Sequence, residues 1–293
     1  MEKIKGFLLI VNPISGGMNK KHLINEIEEE LDDEKHPLEI YYTQGVNDKE
    51  NIQNLIEDIN PGRVLVAGGD GTIKIAAEAV GDRDIPLGII PAGSANGLAV
   101  NLGLPKNIRE QIHTALGEHF METDILDING ESCLHMSDLG INAELIQNYE
   151  HSPIRGKVGY MLQSIPTLIK SKYPFEFKIE TQEGVIKREG ILLAFANASK
   201  YGTGSMVNPE GKMNDGIFEV LVFKHFDFFQ ILNTLRDDAK LDSDFIEIIP
   251  TKWAKVSCET PVAFQIDGEY MGESKNIDVK ILPKKIKIAV PEK

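Results

Sequence analysis

An α/β domain built on a parallel sheet, followed by a mainly antiparallel β domain, is the architecture this sequence predicts. Three observations lead there. A chain of 293 residues normally divides into two domains, each large enough for its own core. Up to about Asp124, apolar runs of strand length alternate with segments of helical periodicity, a βαβα rhythm that implies a parallel sheet covered by helices. Beyond that point the rhythm gives way to short strands separated by turn residues. The predicted division is therefore 1–124 and 125–293, with the last strand free to return to the first domain.

The elements follow in order. Phe7–Val11 reads as a strand, Asn12–Gly17 as a turn, and Lys21–Leu31 as an amphipathic helix with Leu23, Ile24, Ile27 and Leu31 inward. Leu38–Tyr42 is a second strand and Asn51–Ile59 a helix with Ile52, Leu55, Ile56 and Ile59 on one face. Val64–Ala67 is a buried strand, and Ile73, Ala76, Ala77 and Val80 recur at helical spacing after it. Between them lies Gly68-Gly69-Asp70-Gly71-Thr72, a junction that lets backbone N–H groups and a helix N-terminus approach phosphate closely. Pro86–Ile90 is a further strand, leading into Pro91-Ala92-Gly93-Ser94-Ala95-Asn96-Gly97 and another helix. Ligands of such sheets bind at the carboxyl ends of the strands, where all three glycine-bearing loops emerge.

In the second half, Phe175–Glu180, Ile191–Ala196, Ile217–Phe223, Ala254–Ser257, Val262–Ile266 and Ile286–Val290 read as strands, and 157–170 and 226–238 as helices. Ser152–Lys172 combines Arg155, Lys157, Lys170 and Lys172 with apolar residues at helical spacing. It is either a core-facing helix with solvated charges or a basic, apolar lip for a membrane surface.

Composition narrows the function. A net charge of −14 argues against nucleic-acid binding and repels an anionic membrane, so lipid contact needs a local patch. Cys133 and Cys258 lie in no metal or redox spacing, and no signal peptide or membrane-span length is visible, which together predict a cytoplasmic protein. P-loop, dinucleotide, zinc-protease and serine-hydrolase signatures are all absent. What remains is acidic. Asp70 would repel phosphate unless a metal ion or proton transfer compensates for it. Asp267-Gly268-Glu269 directly follows an apolar strand: a hairpin turn, or paired carboxylates able to hold Mg²⁺ and deprotonate a hydroxyl. Asn214-Asp215-Gly216 carries the same two readings.

Together these motifs resemble the diacylglycerol kinase catalytic-domain family, which includes bacterial lipid kinases and sphingosine kinases. The resemblance runs from Asn12-Pro13-Ile14-Ser15-Gly16 and Thr43 through Gly68–Thr72 and Pro91–Asn96 to Asp124–Gly130 and Gly156–Tyr160. It continues through Asn197, Tyr201-Gly202-Thr203-Gly204, Asn208-Pro209, Asn214-Asp215-Gly216 and Ile266–Glu269. It implies ATP- and Mg²⁺-dependent phosphoryl transfer to a lipid hydroxyl, in a cleft between an α/β domain and a β-sandwich. By similarity, Asn12, Pro13, Ile14, Ser15, Gly16, Thr43, Gly68, Gly69, Asp70, Gly71, Thr72 and Ser94 hold the nucleotide. Asp267 and Glu269 supply a general base and a metal-linked carboxylate, in either order. Asp70 and Asp124 belong to a Mg–water network, and Asp215 with the backbone oxygens of Lys212 and Ile217 matches a structural Mg²⁺ site.

One position departs from the pattern. Gly97 stands where diacylglycerol kinases of the family usually carry Asp and sphingosine and ceramide kinases a small residue, which weakens the metal-network assignment and makes diacylglycerol a less secure acceptor. Two rival readings remain: an NAD kinase-like enzyme, which shares the glycine loop and two-domain plan but not the match at 197–216 and 266–269, and an inactive lipid- or nucleotide-sensing relative, suggested by Gly97. The expected partners are a nucleotide and a lipid met at the membrane surface. Oligomeric state is left open, a homodimer included.

Overall fold

The computed structural model describes residues 6–17, 19–31, 37–150, 174–201, 204–236 and 240–292. Its chain divides into two compact units: Met1–Thr123 with Lys284–Lys293, and Asp124–Pro283.

Unit 1 alternates β1 (Phe7–Val11), α1 (Lys20–Glu30), β2 (Leu38–Tyr42), α2 (Asp48–Ile59), β3 (Arg63–Gly68), α3 (Asp70–Val80), β4 (Leu87–Pro91), α4 (Gly97–Asn101) and α5 (Ile108–Leu116). The parallel sheet runs β2-β1-β3-β4, in unbroken register between Phe7–Val11 and Arg63–Ala67. β3 is buried along its whole length, as expected of a strand covered on both faces. Leu9, Val11, Leu65 and Ala67 pack with Leu23, Ile24 and Ile27 of α1 and Ile112 of α5. Each such side chain removed from water stabilises the fold by about 1.5–3 kcal/mol.

α2 begins three residues earlier than its apolar periodicity predicts. Asp48 explains this: its carboxylate accepts the Gln44 and Gly45 backbone N–H groups and the Tyr41 hydroxyl, folding the chain into the helix. Those donors hold the Asp48 carboxyl below its ordinary value even though burial works the other way.

β5 (Phe120–Ile128) leads into unit 2, which contains β6 (Glu131–Cys133), β7 (Met136–Gly140), α6 (Ile141–Glu150), β8 (Phe175–Thr181), β9 (Gly184–Gly190) and β10 (Leu192–Ala196). The short pair β11 (Lys200–Tyr201) and β12 (Ser205–Met206) comes next, then β13 (Phe218–Phe223), β14 (Ile246–Thr251), β15 (Trp253–Ile266) and β16 (Glu269–Ala289). Antiparallel pairing runs β14-β13-β10-β7-β15, and β15 also pairs with β8 and β16. Phe177, Leu193, Phe195, Phe218, Val220, Phe264 and Ile266 form its core.

The two predicted strands within 254–266 are one long strand, bulged between Ser257 and Val262. The bulge absorbs the polar residues that look like a break in the sequence. β16 likewise absorbs the predicted strand Ile286–Val290, and its residues from Lys284 onward belong to unit 1, where Ile288 pairs with Leu87. The helix predicted over 226–238 is confined, among the described residues, to Phe228–Asn233. The helix predicted over 157–170, and with it the Ser152–Lys172 segment, lies outside the described residues, as do Gly202 and Thr203.

Candidate functional site

In unit 1 the three glycine-bearing loops are brought together at the carboxyl edge of the parallel sheet. Their positions follow from strand register: the Asn12 amide donates to Ala67, the Thr43 amide to Val11, and the Ala92 amide to Gly68. Asn12 joins the first loop to the second by donating to the Thr72 hydroxyl (3.2 Å), while its own side-chain oxygen accepts the Ile14 amide. Contact between the loops is backbone to backbone. A Cβ on Gly93 would lie 2.5 Å from the Gly69 Cα, and one on Gly16, at φ +56°, would lie 2.4 Å from the Ala92 carbonyl. Glycine is therefore required at both positions by space, not only by turn geometry.

Asp70 is the link between the second and third loops. Its two oxygens accept the backbone N–H groups of Gly97 (2.9 Å) and Leu98 (3.0 Å). It thus caps α4, whose own N-cap residue Asn96 has no side-chain capping bond. This cap reaches across 27 residues and leaves lone pairs for a cation. Ile14 and Ser94 are exposed. The N-terminus of α3 carries no side-chain cap, so its first amides stand as in phosphate-binding junctions.

Lys20 was not singled out by motif. It donates to the Ser15 carbonyl (3.0 Å), stapling the first loop, and partial burial lowers its ammonium below the ordinary lysine value. Its position at the start of α1, directly after the Asn19 cap, is the signal that could have flagged it.

In unit 2, Asp267 and Gly268 are the two-residue loop joining β15 to β16, with Ile266 opposite Glu269. Both have positive φ, +50° and +88°, the signature of a type I′ hairpin. The hairpin reading is therefore correct, yet the side chain does more than a turn requires. Its Oδ2 accepts the Leu134 amide (2.9 Å), and its Oδ1 accepts the amides of His135 (2.9 Å) and Met136 (3.2 Å) and contacts Cys133 Sγ. The Asp267 amide returns a bond to the Met136 carbonyl. Glu269, two residues on, is exposed.

Asn197 connects this cradle to Asp124. Its Nδ2 donates to the carbonyls of Leu134 (2.9 Å) and Asp124 (2.8 Å). Asp124 is buried and accepts the Gly216 amide (2.7 Å), and its own amide binds the Met213 carbonyl. The Lys212–Ile217 loop is thus wrapped on Asp124, leaving Asp215 exposed with one oxygen on the Ile217 amide (3.2 Å). Nearby, burial raises the buried Glu219 carboxyl, and the negative charges of Asp215 and Glu210 add to the rise. Acidic charge concentrated around a loop of backbone carbonyls suits a hard cation. Among the described residues no cluster of three His, Cys, Asp or Glu side chains is placed to hold a metal, so any ion here would draw on main-chain oxygens.

Two family models cover nearly all of the chain. Residues 6–128 match the diacylglycerol kinase catalytic domain, and residues 137–290 the YegS C-terminal NAD kinase beta sandwich-like domain. The chain belongs to the diacylglycerol kinase catalytic-domain family. Among curated relatives it is 26% identical over 269 residues to a protein of Chromohalobacter salexigens named "probable lipid kinase YegS-like", covering 88% of this chain and 85% of that one. It is 24% identical to the protein of the same name in Shewanella frigidimarina, covering 79% and 77%. A solved structure described as a diacylglycerol kinase from Bacillus anthracis superposes with a TM-score of 0.75 at 21% identity, over 99% of this chain and 98% of that one. A second chain from that organism reaches 0.80 at 23% identity, with the same coverage. The fold of this lipid kinase family is therefore the fold of this chain. Among the described residues, no helix is long and apolar enough to cross a membrane.

Proposed function

We propose that this member of the lipid kinase family transfers the γ-phosphate of ATP to the hydroxyl of a lipid, with Mg²⁺. The observation that carries the reading is Asp267. A carboxylate at a hairpin tip, gripped by three consecutive backbone amides and followed by exposed Glu269, is a fixed acceptor for a hydroxyl proton. Phosphoryl transfer asks the protein mainly for positioning and charge neutralisation, and rigid placement is what the cradle provides.

In this reading Asn12–Gly16, Thr43, Gly68–Thr72 and Ser94 hold the nucleotide through close backbone approach. Asp267 and Glu269 divide the roles of general base and metal-linked carboxylate. Asp70 and Asp124 orient the water network, and Asp215 with the Lys212 and Ile217 carbonyls would hold a structural ion. Mg²⁺, when bound, supplies charge neutralisation to the phosphates. Gly97 donates its backbone amide to Asp70 but brings no second carboxylate there, which makes diacylglycerol a less secure acceptor. The setting proposed is cytoplasmic, with peripheral access to the membrane.

The test is incubation with labelled ATP, Mg²⁺ and mixed micelles of diacylglycerol, phosphatidylglycerol, sphingoid base or ceramide. A labelled phospholipid from at least one acceptor is expected, with none when Mg²⁺ is chelated. A parallel assay for NADP⁺ formation should be blank. NADP⁺ without labelled lipid would replace the reading with an NAD kinase. Nucleotide binding without transfer to any acceptor would replace it with a sensor.

A further inference from the structure

Asp138 lies in the middle of β7 with no exposed surface, and the chemistry above leaves it unused. Its Oδ2 accepts from Asn142 (2.8 Å), from the Tyr201 hydroxyl and from Nε2 of Gln265. Its Oδ1 is buried without a hydrogen-bond partner. Asp138 and Gln265 face each other directly in the antiparallel β7–β15 pair. An ionised carboxylate can only accept, so it takes the NH₂ end of the Gln265 amide and leaves the carbonyl end pointing the other way. That carbonyl, Oε1, accepts the backbone N–H of Gly268 at 2.7 Å. Gly268 is the second residue of the Asp267-Gly268 turn, which is also gripped through the Asp267 carboxylate by the amides of Leu134, His135 and Met136, the last being the first residue of β7.

We propose that Asp138 is a positioning residue for the catalytic turn: it orients the Gln265 amide, which holds the Gly268 N–H and so fixes where the Asp267 carboxylate stands. The catalytic meaning rests on the lipid-kinase reading; the chain of hydrogen bonds does not. Burial pushes the Asp138 carboxyl up to about 6, against the pull of its four donors, Tyr201, Gln265, Asn142 and the backbone amide of Ala143 in α6. Its neighbours are Tyr201 from β11, which is titratable, and uncharged Asn142 from α6, Ala194 from β10 and Gln265 from β15. A proton taken up by this carboxyl would end its role as an acceptor only. The Gln265 amide would then no longer be held by an anion.

The experiment reads the turn and the reaction separately. Asp-Gly occurs only at 70–71, 215–216 and 267–268, so ¹³C-carbonyl Asp with ¹⁵N Gly labelling gives three amide signals from the whole chain. In the wild-type protein the Gly268 amide should titrate with a midpoint near pH 6, an observation that needs no variant. Asp138→Asn should abolish that titration and displace the signal. Gln265→Glu should displace it too, and the double variant D138N/Q265E, in which Asn donates to Glu, should bring it back. Turnover on labelled ATP and sphingoid-base micelles should fall about tenfold or more in each single variant with the KM for ATP unchanged, and recover in the double. A Gly268 amide indifferent to pH and to Asp138→Asn would overturn the proposal. So would a double variant whose turnover is the product of the two single losses. If the amide behaves as stated but no lipid is phosphorylated, the kinase reading fails and the positioning link stands.

Discussion

Asp70 and Asp267 both precede a glycine, and both spend their carboxylates on backbone amides of a distant segment, but they do so differently. Asp70 gives one oxygen to each of two successive amides at a helix start, as an N-cap does. Asp267 stands at positive φ on a hairpin tip and receives three amides running along a strand entry. The first arrangement locks one loop to another through the start of a short helix. The second fixes a single side chain against a buried strand, where a lost acceptor leaves amides with nowhere to turn. The same dipeptide thus serves loop cohesion in one unit and side-chain placement in the other.

The comparison can be broken most decisively at Asp267. Asp267→Asn retains one acceptor oxygen for three amides and removes one of the two carboxylates proposed for base and metal, so turnover should drop about 100-fold or more with nucleotide affinity retained. Stability should fall by about 1–3 kcal/mol in urea titration, the cost of leaving buried donors unmade. Parental turnover in that variant would remove Asp267 from the chemistry.

The next effect is one of pH. The folded value of Asp138, near 6, lies above the ordinary 3.8. Its contribution is therefore fully present below about pH 4 and lost as pH rises through 6, by about 3 kcal/mol in all. Asp138→Asn lacks this dependence, so the stability gap between wild type and variant should narrow from pH 4 to pH 7. A constant gap in denaturant midpoints across that range would show that Asp138 titrates normally.

Gly93→Ala should be felt in unit 1 as strongly as ordinary overpacking, about 1–3 kcal/mol, because the new Cβ meets the Gly69 backbone, and nucleotide affinity should fall with it. Gly268→Ala meets open space and pays only for its φ of +88°, so its cost should be near 1 kcal/mol. Thermal melts of the two variants set a packing constraint beside a conformational one. Asp70→Ala should cost about 1 kcal/mol, the usual worth of an N-cap, visible as a lower melting temperature before any assay of activity. Smallest of all, Asp215→Ala should leave stability unchanged in chelator but cancel the rise in melting temperature that added Mg²⁺ gives the wild type.

Much of unit 1 was legible because its signals are local. Phe7–Val11 and Leu38–Tyr42 stand as the pattern predicts, and the helices drift by a residue or so where periodicity alone sets their ends. Asp48 moved the start of α2 because its partners, Tyr41, Gln44 and Gly45, lie outside the window in which periodicity is read. In unit 2 the polar stretch at 258–261 looks like a break between strands. A long strand can carry a bulge there because β8 and β16 flank it, and that pairing is not a property of the stretch itself.

By itself the sequence determined the βαβα rhythm, the change to antiparallel strands, the three glycine loops and the Asp-Gly turn, all of which follow from periodicity and turn chemistry within a few residues. It also carried the family resemblance, because the spacing of those motifs survives in one dimension. Only the tertiary structure decided what each carboxylate faces. Asp70 reaches 27 residues to Gly97, Asp267 reaches back more than 130 residues to Leu134–Met136, and Asp138 meets Gln265 across a strand pair. A carboxylate's role is set by the donors and the burial around it, and those are supplied by segments that the fold, not the order of residues, makes neighbours.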